Sequence, residues 1–173
     1  MRLLTALLLA LPAFAEFAEV RGIRIYYEVH GAGRPIVLLH GGMNAIRSSF
    51  EKQINVFAKT HRVIAIEQMA HGHTPDVKGR KMTYEAMAED TAALLKTLNI
   101  TNADLVGWSD GGQVALRLAF TNPELVRRVV ASGVGLGASP EIVKEINAEK
   151  DFAKVAASLF PAGYAEYKRV SPD

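Results

Sequence analysis

The sequence predicts an α/β fold: a three-layer sandwich in which helices flank a mostly parallel sheet. Two observations carry this reading. Short apolar runs alternate with segments whose apolar residues recur at helical spacing, and short connections join them. That order belongs to a parallel sheet with right-handed crossovers and helices on both faces. The runs Pro35–His40, Arg62–Ile66, Ala103–Trp108 and Val126–Ala131 are also largely apolar without strict alternation, as in strands covered on both sides.

Taken in order, residues 1–15 read as a secretory signal peptide. Met1-Arg2 gives a positive start, Leu3–Leu11 an apolar run, and Ala13-Phe14-Ala15 a small-x-small site with cleavage expected after Ala15. The run is shorter than the roughly 20 residues a bilayer span needs. A secreted or periplasmic protein with no stable membrane anchor is therefore expected. Val20–Val29 is rich in β-formers around an Arg21-Gly22 turn, and predicts a strand or hairpin at a sheet edge. After the Pro35–His40 strand, Ser48 with Glu51 has the capping-box spacing, and Phe50, Ile54, Phe57 and Ala58 follow at helical intervals. His71–Lys78 is a turn-rich loop. Thr83 is placed to cap a helix whose apolar face is Tyr84, Met87, Ala88, Thr91, Leu94, Leu95 and Leu98. Gly111–Phe120 is apolar almost all round, which predicts a central buried helix ended at Asn122-Pro123. Beyond Ser139, Ile142, Val143 and Ile146 and then Phe152, Val155, Ala156 and Leu159 suggest two short amphipathic helices.

Composition narrows the function classes. The 173 residues are 49% hydrophobic and 22% charged, as in an ordinary globular domain, and the net charge is only +2 without a basic stripe. No nucleic-acid partner is expected. With no cysteine, a thiolate metal site and a Cys nucleophile are excluded. His71-Gly72-His73 has a spacing that could suit a metal in a strand, but it sits in a loop with no matching carboxylate motif. No metal and no cofactor are expected.

The stretch that carries chemistry is Gly107-Trp108-Ser109-Asp110-Gly111-Gly112, a G-x-S-x-G motif between an apolar strand and an apolar helix. A sharp strand-to-helix turn leaves no room for side chains two positions either side of the serine, which is why Gly107 and Gly111 flank Ser109. Ser109 is the candidate nucleophile. The helix N-terminus behind it supplies amide donors and a partial positive charge. His40-Gly41-Gly42 ends the first apolar strand, and the amide of Gly42, with Gly41 in reserve, is expected to join that of Asp110 in an oxyanion hole. His40 is expected to order this loop. Trp108, Gly107, Gly111 and His40 are placed at the pocket.

Together, Ile36-Val37-Leu38-Leu39-His40-Gly41-Gly42, Val63-Ile64-Ala65 with His71-Gly72-His73-Thr74, the serine motif and Val126-Arg127-Arg128-Val129-Val130 resemble the α/β-hydrolase superfamily, specifically its serine-nucleophile esterase, lactonase and carbon–carbon hydrolase branch. The resemblance covers Val20 to about Leu136. It implies residues 16–138 as the N-terminal part of the hydrolase core and residues 139–173 as the beginning of the helical cap inserted after the sixth strand. Relatives carry a Pro-Asp pair and a later glycine where this chain has Ile66-Glu67 and Ala70. Ser109, where haloalkane dehalogenases have an aspartate, argues against that activity. The resemblance also implies the triad order Ser, acid, His. His73 is the last histidine of the chain, so the triad histidine is absent after Ser109 and the triad acid is unassigned. The expectation is a fragment, a truncated product or a degenerate relative, inactive alone. Its family activity is hydrolysis of a carboxylic ester or related carbonyl bond, on a small hydrophobic substrate facing cap residues Leu159, Phe160 and Tyr164. A non-catalytic ligand-binding relative and a cofactor-free haloperoxidase or carbon–carbon hydrolase are the alternatives.

Overall fold

Burial with a period of two along the central strands decides which helix covers which face. In β3 (Arg34–Leu39) and β4 (His61–Ile66), Val37, Leu39, Ile64 and Ile66 enter one core, while Ile36, Leu38, Val63 and Ala65 enter another. The first core is completed by Met87, Leu94 and Leu95 of α2 (Tyr84–Thr97) and by Val114 and Leu118 of α3 (Asp110–Thr121). The second is completed by Ile46, Phe50 and Ile54 of α1 (Ile46–Phe57). One helix on one face and two on the other make the three layers. This computed structural model describes residues 14–135 and 168–169. The expected cap helices, with Leu159, Phe160 and Tyr164, lie outside the described residues, as do residues 1–13.

Among the described residues the sheet has six strands in the order β1-β2-β4-β3-β5-β6, adding β1 (Phe14–Val20), β2 (Ile23–His30), β5 (Ala103–Trp108) and β6 (Val126–Ser132). β1 and β2 form an antiparallel hairpin about Arg21-Gly22, and β2 runs antiparallel to β4. The pairs β3–β4, β3–β5 and β5–β6 are parallel. From β3 the chain crosses through α1 to β4 on one side. From β5 it crosses through α3 to β6 on the other. Strands β3 and β5 are neighbours, so the loops leaving their C-terminal ends diverge and open a crevice. Such a reversal of strand order is where ligands bind in open α/β sheets.

Four sequence expectations need correction. The hairpin begins at Phe14 rather than Val20, because Phe14–Glu19 pairs with Arg24–Val29. Ser48 is not the N-cap of α1. Ala45 holds that position, and the Ser48 hydroxyl accepts the Ala45 N–H at 2.9 Å, so the motif works one turn out of register. α3 buries a single face (Gly111, Gly112, Val114, Ala115, Leu118) and leaves Phe120 84% exposed, because the sheet and α2 cover only part of it. Finally, β6 is no fully covered strand. Among the described residues it lies at the sheet edge, with Val130 59% exposed. By contrast, Thr83 caps α2 as expected, its hydroxyl accepting the Ala86 N–H at 3.1 Å.

Candidate active site

Pairing in register places the site. Leu39 of β3 is opposite Gly107 of β5, so His40-Gly41-Gly42 and Trp108-Ser109-Asp110 leave the sheet side by side. Between β5 and α3 the chain reverses at Ser109, which adopts φ 52° and ψ −117°, a region that L-residues rarely occupy. Holding a non-glycine residue there costs on the order of 1–3 kcal/mol, compensated by the surrounding structure. Two contacts provide it. The Ser109 N–H donates to the Ser132 carbonyl of β6 at 2.8 Å, and the Ser109 carbonyl accepts the Gly112 N–H at 2.9 Å. Serine at a helix N-cap ordinarily spends its hydroxyl on the first turn. Here Ser109 is at the N-cap of α3 and makes no such bond.

The glycines around it are required by space. A Cβ on Gly107 would run into the backbone of Gly111 and Gly112, and one on Gly111 into the carbonyls of Leu39 and His40. On Gly41 it would lie 2.6 Å from Trp108 Nε1 and 3.2 Å from Ser109 Cβ, and on Gly42 it would strike the Asp110 carboxylate. The two loops are thus in close contact, the Gly41-Gly42 backbone against the side chains of Trp108, Ser109 and Asp110, and the Gly111 backbone against the carbonyls of Leu39 and His40. A cavity beside them is lined by His40, Gly41, Gly42, Gln68, His71, Met87, Asp110, Gly111 and Val114. Trp108 and Gly107 are not part of that wall. Trp108 is 45% exposed, with its indole against Gly41 and Gly133.

Asp110 is among the residues that line the cavity, and its carboxylate is engaged nearby. Its Oδ1 accepts the Tyr84 hydroxyl at 2.7 Å, and its Oδ2 faces Gly42. Burial first, then this bond to Asp110, push the Tyr84 hydroxyl up to about 12, so it remains a donor. Sequence reading put Tyr84 on the core face of α2. Its position at the first turn, just after the Thr83 cap, was the only hint that it could reach a site.

His40 is 2% exposed and neutral: its Nδ1–H donates to the Gly41 carbonyl at 2.8 Å and its Nε2 accepts the Gln68 N–H at 3.0 Å. Burial, reinforced by His71 nearby, pushes it down to about 3, against the opposing Gly41 carbonyl. His71 is built alike. Its Nδ1–H donates to Met69 O at 2.9 Å, its Nε2 accepts the Met43 N–H at 3.2 Å, and burial lowers it too. Both imidazoles tie the Gly41–Met43 segment to the Gln68–His71 loop. That loop is itself organised by Glu67, 2% exposed, whose carboxylate accepts the Ile46 N–H at 3.4 Å and the His73 N–H and Nδ1–H at 2.5 and 3.0 Å. No cluster of metal-ligating side chains occurs among the described residues.

These features have counterparts in known proteins. The alpha/beta hydrolase fold family matches residues 34–168. The 2-hydroxymuconate semialdehyde hydrolase of Pseudomonas sp. (strain CF600) is 33% identical over 124 residues, covering 70% of this chain and 44% of that protein. The serine hydrolase BPHL of Homo sapiens is 31% identical over 118 residues, covering 66% of this chain and 40% of that protein. Among solved structures, Est816, an N-acyl homoserine lactone degrading enzyme, superposes with a TM-score of 0.70 at 28% identity, over 88% of this chain and 64% of that one. The chain therefore spans less than half the length of these two curated relatives. With a six-stranded sheet, a strained strand-to-helix serine turn at its switch point and a match over most of its length, the chain belongs to the α/β hydrolase fold family.

Proposed function

We propose that this chain carries the nucleophile half of a hydrolase acting on a carboxylic ester or related carbonyl bond. The observation that carries the proposal is Ser109 itself: held at φ 52°, released from helix capping and packed against the Gly41-Gly42 loop. In the reaction, a base takes the Ser109 hydroxyl proton as Oγ adds to the carbonyl carbon. The carbonyl electron pair moves to oxygen, where the amides of Gly42 and Asp110 receive it. The alcohol departs with the proton, and water then cleaves the acyl-enzyme to the acid, restoring Ser109. The hydrolases among the relatives support this class of reaction.

Among the described residues, neither histidine lining the cavity is available as the base. Both nitrogens of His40 and of His71 are already bonded, and no histidine follows His73. We therefore read the 173-residue chain as inactive by itself. A small aryl ester should show no appreciable turnover, and a serine-directed phosphonate only slow labelling. A form extended by strands bearing an acid and a histidine should hydrolyse the ester, and Ser109→Ala or Gly111→Val should each abolish that activity. Loss of the base in such triads costs about 10⁶ in kcat. Turnover that persists in the extended Ser109→Ala form would refute the assignment.

Export is proposed from residues 1–15. Phe14 and Ala15 pair with Val29 and Glu28, so cleavage after Ala15 would shorten β1 by two residues and leave Glu16–Val20 in place. Mass spectrometry of the exported protein should find Glu16 first, and an intact Met1 would contradict it.

A further inference from the structure

The loop that bears the Gly42 amide has its peptide planes held one after the other. His40 Nδ1–H donates to the Gly41 carbonyl at 2.8 Å, and in a planar trans peptide the N–H of Gly42 then points the opposite way. The next plane is held at both ends. Asn44 Nδ2 donates to the Gly42 carbonyl at 2.9 Å, and the Met43 N–H donates to His71 Nε2 at 3.2 Å. Met43 adopts φ 52°, in the left-handed region that residues with a Cβ rarely enter and keep only where their surroundings dictate it.

His71 is fixed in turn by its own loop. It lies between two residues of positive φ, Ala70 at 61° and Gly72 at 58°. Its N–H donates to the Gln68 carbonyl at 3.0 Å, and its carbonyl accepts the Thr74 N–H at 3.0 Å. The bond from Nδ1–H to the Met69 carbonyl leaves the lone pair on Nε2, aimed at Met43. The titratable groups that face the ring are His40 of the β3 tip, at 5.0 Å between centroids, Glu67 of the loop after β4, and Asp110 of α3. Burial outweighs the Met69 carbonyl and the two carboxylates and lowers the His71 pKa, so the acceptor form holds at neutral pH.

We propose that His71 is a positioning residue for the hydrolysis: by accepting the Met43 N–H it holds the Gly42–Met43 peptide, and so keeps the adjoining Gly42 amide where the carbonyl oxygen gains charge. This deepens the Ser109 reading and rests on it for the place of reaction. His71 touches no reacting atom and acts only through Met43.

Amide hydrogen exchange resolved at Met43, with rates corrected for their intrinsic pH dependence, tests the hold without any reaction. His71→Leu, which removes the acceptor, should speed exchange at Met43 about tenfold, and His71→Gln, which places a neutral oxygen near the Nε2 position, should restore protection. In the unmutated chain, Met43 protection should fall relative to β5 as pH drops below the ordinary imidazole value of about 6.5, and His71→Gln should remove that fall. Labelling of Ser109 by a serine-directed phosphonate should slow about tenfold in His71→Leu and recover in His71→Gln. Met43 protection unchanged in His71→Leu, or lost there with labelling unaltered, overturns the proposal. Should His71→Leu lose protection in β5 and α3 as well, the acid dependence of the unmutated chain decides, and its absence at Met43 overturns the proposal. If Ser109→Ala is labelled as fast as the unmutated chain, the Ser109 reading fails instead, and Met43 exchange still reports whether His71 holds the loop.

Discussion

His40 illustrates how one side chain is fixed by its surroundings. An unfolded imidazole takes a proton below about pH 6.5, whereas the folded one is pushed down to about 3. Between these values the unfolded state binds more protons, so stability is complete near neutrality and falls as pH drops through that window. By pH 5 the loss attributable to His40 should be about 2 kcal/mol, and His71, lowered in the same sense, adds to it. Urea midpoints at pH 7 and pH 5 check this. His40→Gln should weaken the pH dependence, and an unchanged slope would mean His40 is not the group responsible. At this scale the motif glycines were legible from the serine motif: at Gly107 the turn itself excludes a Cβ, while at Gly111 the carbonyls of Leu39 and His40 in the neighbouring loop add to the exclusion. The parts played by Glu67 and Tyr84 were not. Each depends on a partner far off in the sequence and in another element: Ile46, 21 residues from Glu67, and Asp110, 26 residues from Tyr84.

Elements were read more surely than their ends. The apolar runs gave the central strands, since full burial on both faces leaves little freedom of composition. The start of β1 was missed because Phe14 and Ala15 also fit a cleavage site, and the α1 cap because Ser-x-x-Glu spacing does not say which turn it occupies. The loop from Glu67 to Thr74 has a different logic, since a buried carboxylate replaces regular pairing as its organiser. Glu67→Gln puts an amide NH₂ where N–H donors converge, at an expected cost of about 1.5–3 kcal/mol. Amide hydrogen exchange should accelerate over residues 68–74 and stay unchanged in β5 and α3. Uniform acceleration throughout the chain would show instead that Glu67 supports the whole fold.

For the molecule as a whole, the sheet order was only partly foreseen. Alternation of strands and helices predicts parallel neighbours, but not which strand the antiparallel hairpin would join, a matter of long-range contacts between β2 and β4. At the far side, β6 pairs with β5 and has no strand on its other side among the described residues, while Val130 is 59% exposed. Open, apolar strand edges invite pairing with other chains. The 173-residue chain should therefore self-associate with rising concentration in sedimentation, and Val130→Lys should shift it toward monomer. A monomer at all concentrations would refute this. The bond from Ser109 N–H to Ser132 O joins that same strand to the serine turn. β6 thus has no strand on one side among the described residues and holds the serine turn by a backbone bond, so pairing at that edge is expected to be felt at Ser109. On the proposed role of Ser109, the rate at which it takes a covalent probe should then report, like a strain gauge, whether that edge has been closed.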